Sequence, residues 1–375
     1  MQAVNILINT QNFPPEAGGI QNYMYELANA LHHLGHNVRV ICDTHATAGQ
    51  QEFDASQPFS IERINGPKLI RRFRKAQRIT RYLRGTNPTL LICDSWKSLE
   101  LLQLEKRHLL ACVCIAHGME FPKQTTAKKQ KRISNTLLTA THILANSKFT
   151  ASRIHPYVEN TSNIQILHPG VGQAHPPSED DVTKITQLIA NRSPVLLTVG
   201  RLEERKGQDK IIEILPKLLQ DHPQLLYVIA GNGPLQGTLI NRTEELGIVD
   251  HVIFCGRVSD GQRTALLQKA DLFAMPCRAV GDSVEGFGIV YIEAAMLALP
   301  SLAGRIGGAG DAVIDGHTGL LCDGDNENDI YQSITKMLND KQALKVMGQN
   351  AQHRAQTELQ WEQIANRLLA LSTNS

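Results

Sequence analysis

Short apolar runs alternate with helix-length amphipathic segments along the whole chain, and that alternation leaves few folds open. In the first half the runs are Val4–Ile8, Val38–Cys42, Leu90–Cys93, Ala111–Ile115 and His142–Ala145, with helix-length segments at Ile20–Leu34 and Leu69–Arg84. In the second half they are Val195–Val199, Leu225–Ala230, Val252–Cys255, Leu272–Met275 and Ser301–Ala303. Runs that are apolar throughout suit strands buried on both faces, and long connections carry a chain to a parallel neighbour. The pattern predicts an α/β architecture, with parallel sheets covered by helices on both faces. At 375 residues the chain exceeds one ordinary domain, and 42% apolar content suffices for two cores. A Pro-rich acidic stretch, GQAHPPSEDD at 172–181, marks the break. Two doubly wound, Rossmann-like domains are therefore expected, over residues 1–175 and 176–356.

Composition narrows the function. A net charge of +2 creates no global field for nucleic acid. The seven cysteines are odd in number, form no CxxC pair and lie mostly in apolar runs. They read as small buried hydrophobes of a reducing compartment, with no metal site expected. MQAVNILIN reads as a first strand without a basic leader region, and no apolar run reaches the roughly 18 residues of a membrane span. A cytoplasmic protein is expected.

One segment, SVEGFGIVYIEAA (283–295), is not explained by packing. It sets Glu285 and Glu293 around a Gly-Phe-Gly turn. If Ile289–Ala298 is a helix, Gly286 and Gly288 lie at its start, where free amides and the helix dipole favour an anion. Carboxylates beside anion-binding amides suit a ligand that is both hydroxyl-rich and phosphorylated, such as a nucleotide sugar. Upstream, Arg201 and Lys206 follow a strand end in VLLTVGRLEERKG, where fixed cations would stabilise a departing diphosphate. Taken alone, that segment equally describes a solvated charged turn. Gly18 and Gly19 precede the Ile20 helix, allowing close backbone approach of a ligand or forming an ordinary loop; the spacing is not GxGxxG. His117 ends the strand of ACVCIAHGMEF, where an imidazole either donates to a sugar hydroxyl or serves the fold.

Together, MPCRAVGDSVEGFGIVYIEA (275–294) and GRLEERKG (200–207) resemble a family 4 retaining glycosyltransferase of the GT-B fold. The chain is similar, over nearly its whole length, to the bacterial phosphatidylinositol mannosyltransferases. The resemblance implies two domains facing a cleft, with a C-terminal helix (within 357–375, carrying Trp361) crossing back onto the first domain. It implies an acceptor-binding first domain and a nucleotide-sugar-binding second one. It places His117 beside the donor sugar, Glu285 on sugar hydroxyls and Glu293 on the ribose. Amides of Gly286, Phe287, Gly288 and Ile289 would hold sugar or phosphate, and Arg257 and Val258 resemble the family's base-holding segment. The chain departs from the family at Gly172, where Asp often follows Pro-Gly-Val, and in a shorter loop at 278–283.

The acceptor half carries a basic helix, KLIRRFRKAQRITRYLR (68–84), with eight Lys/Arg and no acid. Leu69, Ile70, Phe73, Ala76, Ile79, Thr80 and Leu83 approximate one apolar face. Arg71, Arg72, Arg74, Lys75 and Arg78 would then face an anionic membrane or the acceptor, unless the helix is simply a solvated face. A second basic run spans Lys123–Arg132. Aromatics are sparse in both, which disfavours nucleic acid.

The resulting expectation is a metal-independent hexosyltransferase that needs no cofactor, peripheral on the inner face of the cell membrane. It would move a sugar, mannose favoured, from a nucleotide donor to a lipid or lipid-linked saccharide. Retention at C1 would follow from attack on the face of the departing phosphate, which takes the proton. Three alternatives stay open: a UDP-sugar-dependent transferase, a nucleotide-sugar epimerase of the same fold, and a non-catalytic sugar-nucleotide or lipid-binding protein.

Overall fold

A computed structural model of the chain describes residues 3–16, 18–44, 48–86 and 89–373. The backbone separates into two units: 1–170 with 360–375, and 171–359. Among the described residues no helix is long and apolar enough to cross a membrane.

The N-terminal unit is built on seven strands: β1 (Asn5–Asn9), β2 (Asn37–Asp43), β3 (Ser60–Ile64), β4 (Thr89–Cys93), β5 (Leu109–Ala116), β6 (His142–Ala145) and β7 (Ile164–Ile166). They are all parallel, in the order β3-β2-β1-β4-β5-β6-β7. The central strands are apolar on both faces because helices cover both, and Ile6, Leu7, Ile8, Leu90, Leu91 and Ile92 are almost fully buried. The helix Gly19–His33 follows β1, and the C-terminal helix Trp361–Thr373 packs on it. The Trp361 ring lies 5.0 Å from that of Tyr23, edge to face. A side chain at Gly170 would strike Trp361 at 2.6 Å, so the end of the unit's main segment and the returning helix are closely packed.

The C-terminal unit repeats the plan with β8 (Val195–Val199), β9 (Leu226–Ala230), β10 (Val252–Gly256), β11 (Leu272–Met275), β12 (Ser301–Gly304) and β13 (Gly319–Cys322), in the order β10-β9-β8-β11-β12-β13. In both sheets the strand order reverses beside the first strand of the unit, at β1/β4 and at β8/β11. Loops leaving such a switch point diverge to opposite faces and open a crevice at the strand ends.

Strand-end glycines let the backbone close around that crevice. Gly231 sits at φ 138°, and a β-carbon there would lie 2.0 Å from the Gly200 carbonyl oxygen. The Gly231 amide donates to the Gly256 carbonyl at 2.7 Å, tying the ends of β9 and β10. Gly231→Ala is expected to destabilise the unit by about 2–4 kcal/mol, from strain and overpacking combined. Urea denaturation of the variant checks this.

The basic helix Lys68–Arg84 corrects the sequence expectation. Its buried stripe is Lys75, Ala76, Ile79 and Leu83, while Leu69, Ile70 and Phe73 are 69%, 50% and 59% exposed. Lys75 is the reason. Its ammonium is drawn inward by the Asp43 carboxylate at 2.7 Å and the Thr10 carbonyl at 2.8 Å. That rotates the stripe round the helix and leaves the first apolar turn in solvent. Arg71 pairs with Asp43, Arg72 with Glu100 and Arg78 with Glu62. Lys75 therefore does not face an anionic surface, and three of the four arginines assigned to one are paired internally. Arg74 remains exposed, with no ion pair among the described residues.

Candidate active site

In the C-terminal unit the groups converge on Glu285. The chain leaves β8 at the switch point and makes a 3-10 turn, Glu204–Lys206, before the helix Gln208–Asp221. Gly207 links them at φ 78°, where a β-carbon would meet the Pro276 carbonyl oxygen at 2.4 Å. This close approach brings the turn against the loop leaving β11. Lys206 Nζ then lies 2.6 Å from Glu285 Oε2, and Arg205 Nη1 lies 2.8 Å from the same oxygen. All three side chains are largely buried, at 11%, 20% and 14% exposure for Lys206, Arg205 and Glu285.

Burial alone would push the Glu285 carboxyl up, but Lys206 and Arg205 outweigh it and hold the group below the usual carboxylate range. Its backbone is also fixed, because the Gly308 amide donates to the Glu285 carbonyl at 2.8 Å. Lys206 and Arg205 share one Glu285 oxygen, and Arg205 and Arg201 share Glu203, so three cations face two carboxylates and the cluster carries a net positive charge. That is a seat for an anion.

The helix Ile289–Met296 begins four residues after Glu285, with Gly288 as its N-cap at φ 87°. A side chain at 288 would strike the Tyr291 ring at 2.5 Å, so both conformation and packing require glycine there. The Tyr291 hydroxyl anchors the helix start by donating to the Met275 carbonyl at 2.6 Å. Free amides at this N-terminus add to the positive potential. The Phe287 side chain is buried, so only its backbone is placed to meet a ligand.

Glu293 differs from its partner. Burial raises its carboxyl above the usual range, only partly countered by Arg263 at 3.7 Å, and Asp260 raises it further. A half-buried carboxylate with so weak an ion pair suits hydroxyl donors of a ligand. Arg201, by contrast, is 70% exposed and pairs with Glu203 at 3.2 Å. It reaches the cluster only through Glu203, which also binds Arg205 at 3.0 Å. Arg257 is exposed just after β10, and Val258 is half-buried beside it.

Two residues were missed in the sequence. Arg205 lies between the named Arg201 and Lys206, and only the 3-10 turn decides which cations face Glu285. Arg278 is 5% exposed and forms a two-pronged pair with Asp209 at 2.9 and 2.6 Å. Its amide donates to the Arg205 carbonyl at 2.9 Å, so it fastens the β11 loop to the turn. A lone arginine in MPCRAVGD gives no sequence signal of that partner.

In the N-terminal unit, His117 follows β5. Its ring meets Tyr23 edge to face at 5.3 Å, its amide donates to Glu120 at 2.7 Å, and its Nε2 is buried without a hydrogen-bond partner. An unsatisfied imidazole nitrogen is a poor structural feature and a natural ligand contact. Gly18 caps the helix Gly19–His33 in extended conformation, and a side chain there would meet Gln21 at 2.2 Å. Gly19 faces open space, so neither packing nor backbone conformation demands glycine at that position.

Comparison with known proteins adds the following. The family model described as "Glycosyl transferases group 1" matches residues 181–354, and that described as "Glycosyltransferase Family 4" matches residues 17–173. A GDP-mannose-dependent alpha-(1-6)-phosphatidylinositol monomannoside mannosyltransferase of Mycolicibacterium smegmatis is 31% identical over 380 residues, covering 98% of this chain and 97% of the relative. A GDP-mannose-dependent monoacylated alpha-(1-6)-phosphatidylinositol monomannoside mannosyltransferase of Corynebacterium glutamicum is 26% identical, covering 96% of each. Among solved structures, HepE of Anabaena in complex with UDP superposes with a TM-score of 0.80 at 21% identity, covering 99% of this chain and 100% of that one. A glycosyltransferase of Rickettsia africae does so with a TM-score of 0.81 at 17% identity, covering 100% and 99%. These likenesses show the two-domain GT-B fold.

Proposed function

The chain belongs to the group 1 and family 4 glycosyltransferases, and from that premise we propose that it transfers mannose from GDP-mannose to a lipid or lipid-linked saccharide, with retention and without a bound metal. The full-length relatives whose names specify GDP-mannose and a phosphatidylinositol monomannoside support the donor and the acceptor class. One observation carries the chemistry: Lys206 and Arg205 converge on Glu285 at the glycine-capped start of the helix Ile289–Met296.

On this reading the donor diphosphate enters the positive field of Lys206, Arg205 and the helix amides. Glu285, held ionised by the same two cations, accepts from sugar hydroxyls. Glu293 accepts from the ribose, while Arg257 and Val258 flank the base. As the C1–O bond breaks, charge grows on the leaving phosphate, and fixed cations in a buried setting stabilise that charge without reorganisation. The phosphate takes the proton of the acceptor hydroxyl attacking on its own face. Neither glutamate is then an acid or a base.

Thermal shift with GDP, UDP and ADP in EDTA, on wild type and Lys206→Ala, tests the donor assignment. A ligand at 100 times its Kd adds about 2.7 kcal/mol. A shift with GDP alone, lost in the variant, is expected. A shift with UDP alone would replace mannose by a UDP-linked sugar, and no shift with any nucleotide would remove the reading.

For the lipid surface, the exposed Leu69, Ile70 and Phe73 beside Arg74 are the better anchor, since most of the neighbouring arginines are paired internally. Burying one such side chain in the interface is worth about 1.5–3 kcal/mol. Phe73→Ser is therefore expected to weaken binding to anionic vesicles about 10- to 100-fold, with binding that survives added salt. Binding abolished by salt and indifferent to Phe73→Ser would show an electrostatic contact instead.

A further inference from the structure

A polar cavity lies within the N-terminal unit, and none of the residues assigned to the donor lines it. Its volume is about 420 Å³, within the roughly 300–1,000 Å³ of small-ligand pockets. Lys123, Thr125, Gln130, Ser152, Arg153 and Tyr157 contribute to its lining, and no acidic residue does. Its walls are fastened. The Tyr157 hydroxyl donates to the Pro122 carbonyl at 2.8 Å, and Arg153 Nε donates to the Phe121 carbonyl at 2.9 Å.

Arg153 is the unexplained group. It is only 9% exposed, and its Nη1 is buried with no hydrogen-bond partner. Among the described residues no carboxylate pairs with it; its guanidinium lies 5.9 Å over the Phe149 ring. A buried guanidinium without a counter-charge is costly, and native structures rarely keep one without a ligand. Here it borders a cavity with Lys123 as a second cation and the Thr125 and Ser152 hydroxyls nearby. A guanidinium fork matches the oxygens of a phosphate. The cavity is larger than a bare anion needs, and its hydroxyl and amide groups suit a polar substituent on that phosphate.

We propose that this cavity binds a phosphate ester carrying a hydroxyl-bearing group, through Arg153 with Lys123. The ester is either a soluble metabolite or the headgroup of a phospholipid, and the two share this chemistry.

The test titrates the full chain by calorimetry with glycerol 3-phosphate and inorganic phosphate, and separately by sedimentation with phosphatidylglycerol vesicles. Glycerol 3-phosphate is expected to bind more tightly than inorganic phosphate. Arg153→Gln is expected to weaken it about 10- to 100-fold, the value of a charge-assisted pair. Because Arg153 also holds the Phe121 loop, a second variant guards against unfolding. Ser152→Glu, at an exposed position, sets a negative charge on the lining and is expected to cost at least about tenfold by like-charge repulsion. Binding of vesicles but not of glycerol 3-phosphate, lost in Ser152→Glu, would assign the pocket to a lipid headgroup. No binding of any probe would overturn the proposal, as would binding that Ser152→Glu leaves unchanged.

Discussion

Lys206→Ala is expected to lower the rate of sugar transfer about 10²–10³-fold while leaving the protein folded. Removing one preformed donor to developing negative charge costs that much in other active sites. The fold survives because Arg205 still pairs with Glu285 at 2.8 Å, so the carboxylate keeps a buried counter-ion. Lys206→Arg is a sharper form of the test. It preserves charge but replaces the compact ammonium 2.6 Å from Glu285 with a larger, planar guanidinium. Partial recovery is expected, not full activity. Single-turnover kinetics of both variants separate loss of chemistry from loss of donor binding.

Glu285→Gln is expected to remove activity by a comparable factor and, unlike Lys206→Ala, to destabilise the protein. It leaves Lys206 buried without a carboxylate and Arg205 with Glu203 alone, and breaking a buried pair from one side costs about 3–5 kcal/mol. A phosphate-bearing ligand should replace the missing charge, so GDP should stabilise the variant more than it does the wild type. The pH dependence follows from the direction of the shift. The folded Glu285 carboxyl lies below its unfolded value, so its contribution is present above the unfolded carboxylate range and is lost as pH falls through the folded value. The acid limb of the wild-type stability curve should therefore flatten in Glu285→Gln. Glu293 has the opposite sign. Its folded carboxyl is raised, so the native state holds the proton more tightly than the unfolded one, and stability falls as pH rises through the unfolded range. Glu293→Gln should accordingly lose no stability at neutral pH while weakening nucleotide binding, a combination that marks a group kept for its ligand. Thermal melts from about pH 3 to about pH 8, spanning the carboxylate range, read both effects.

The sequence carried the interior of each sheet and one edge, β10, and lost the other edges. His142–Ala145, Val195–Val199 and Leu272–Met275 coincide with β6, β8 and β11, because strands covered on both faces are apolar at nearly every position. β3, β7 and β13 were not read. β3 is SIERI, half-exposed along its length, and β7 is only IQI; edge strands of this kind lack the continuous apolar signal. The helix expected over 289–298 ends at Met296, since Ala298 adopts a left-handed conformation at φ 56°.

At the candidate site, the pairing of Lys206 with Glu285 joins positions 79 residues apart, which no local pattern encodes. The glutamate pair and the glycine turn pointed to the right segment because their composition serves no packing need. What stayed hidden was geometry: Arg205 rather than Arg201 reaches Glu285, and the Arg278–Asp209 pair holds the loop. The basic helix misled for a related reason. Helical periodicity places Lys75 on a polar face, but a carboxylate at the end of β2 draws it inward and turns the apolar residues out.

The most direct measurement is transfer from GDP-mannose to a phosphatidylinositol mannoside acceptor in EDTA, with the anomeric configuration of the product read by NMR. The account predicts turnover without added metal, an α-linked product from the α-linked donor, and loss of both in Lys206→Ala. Turnover that requires a divalent cation, or a product inverted at C1, would contradict it.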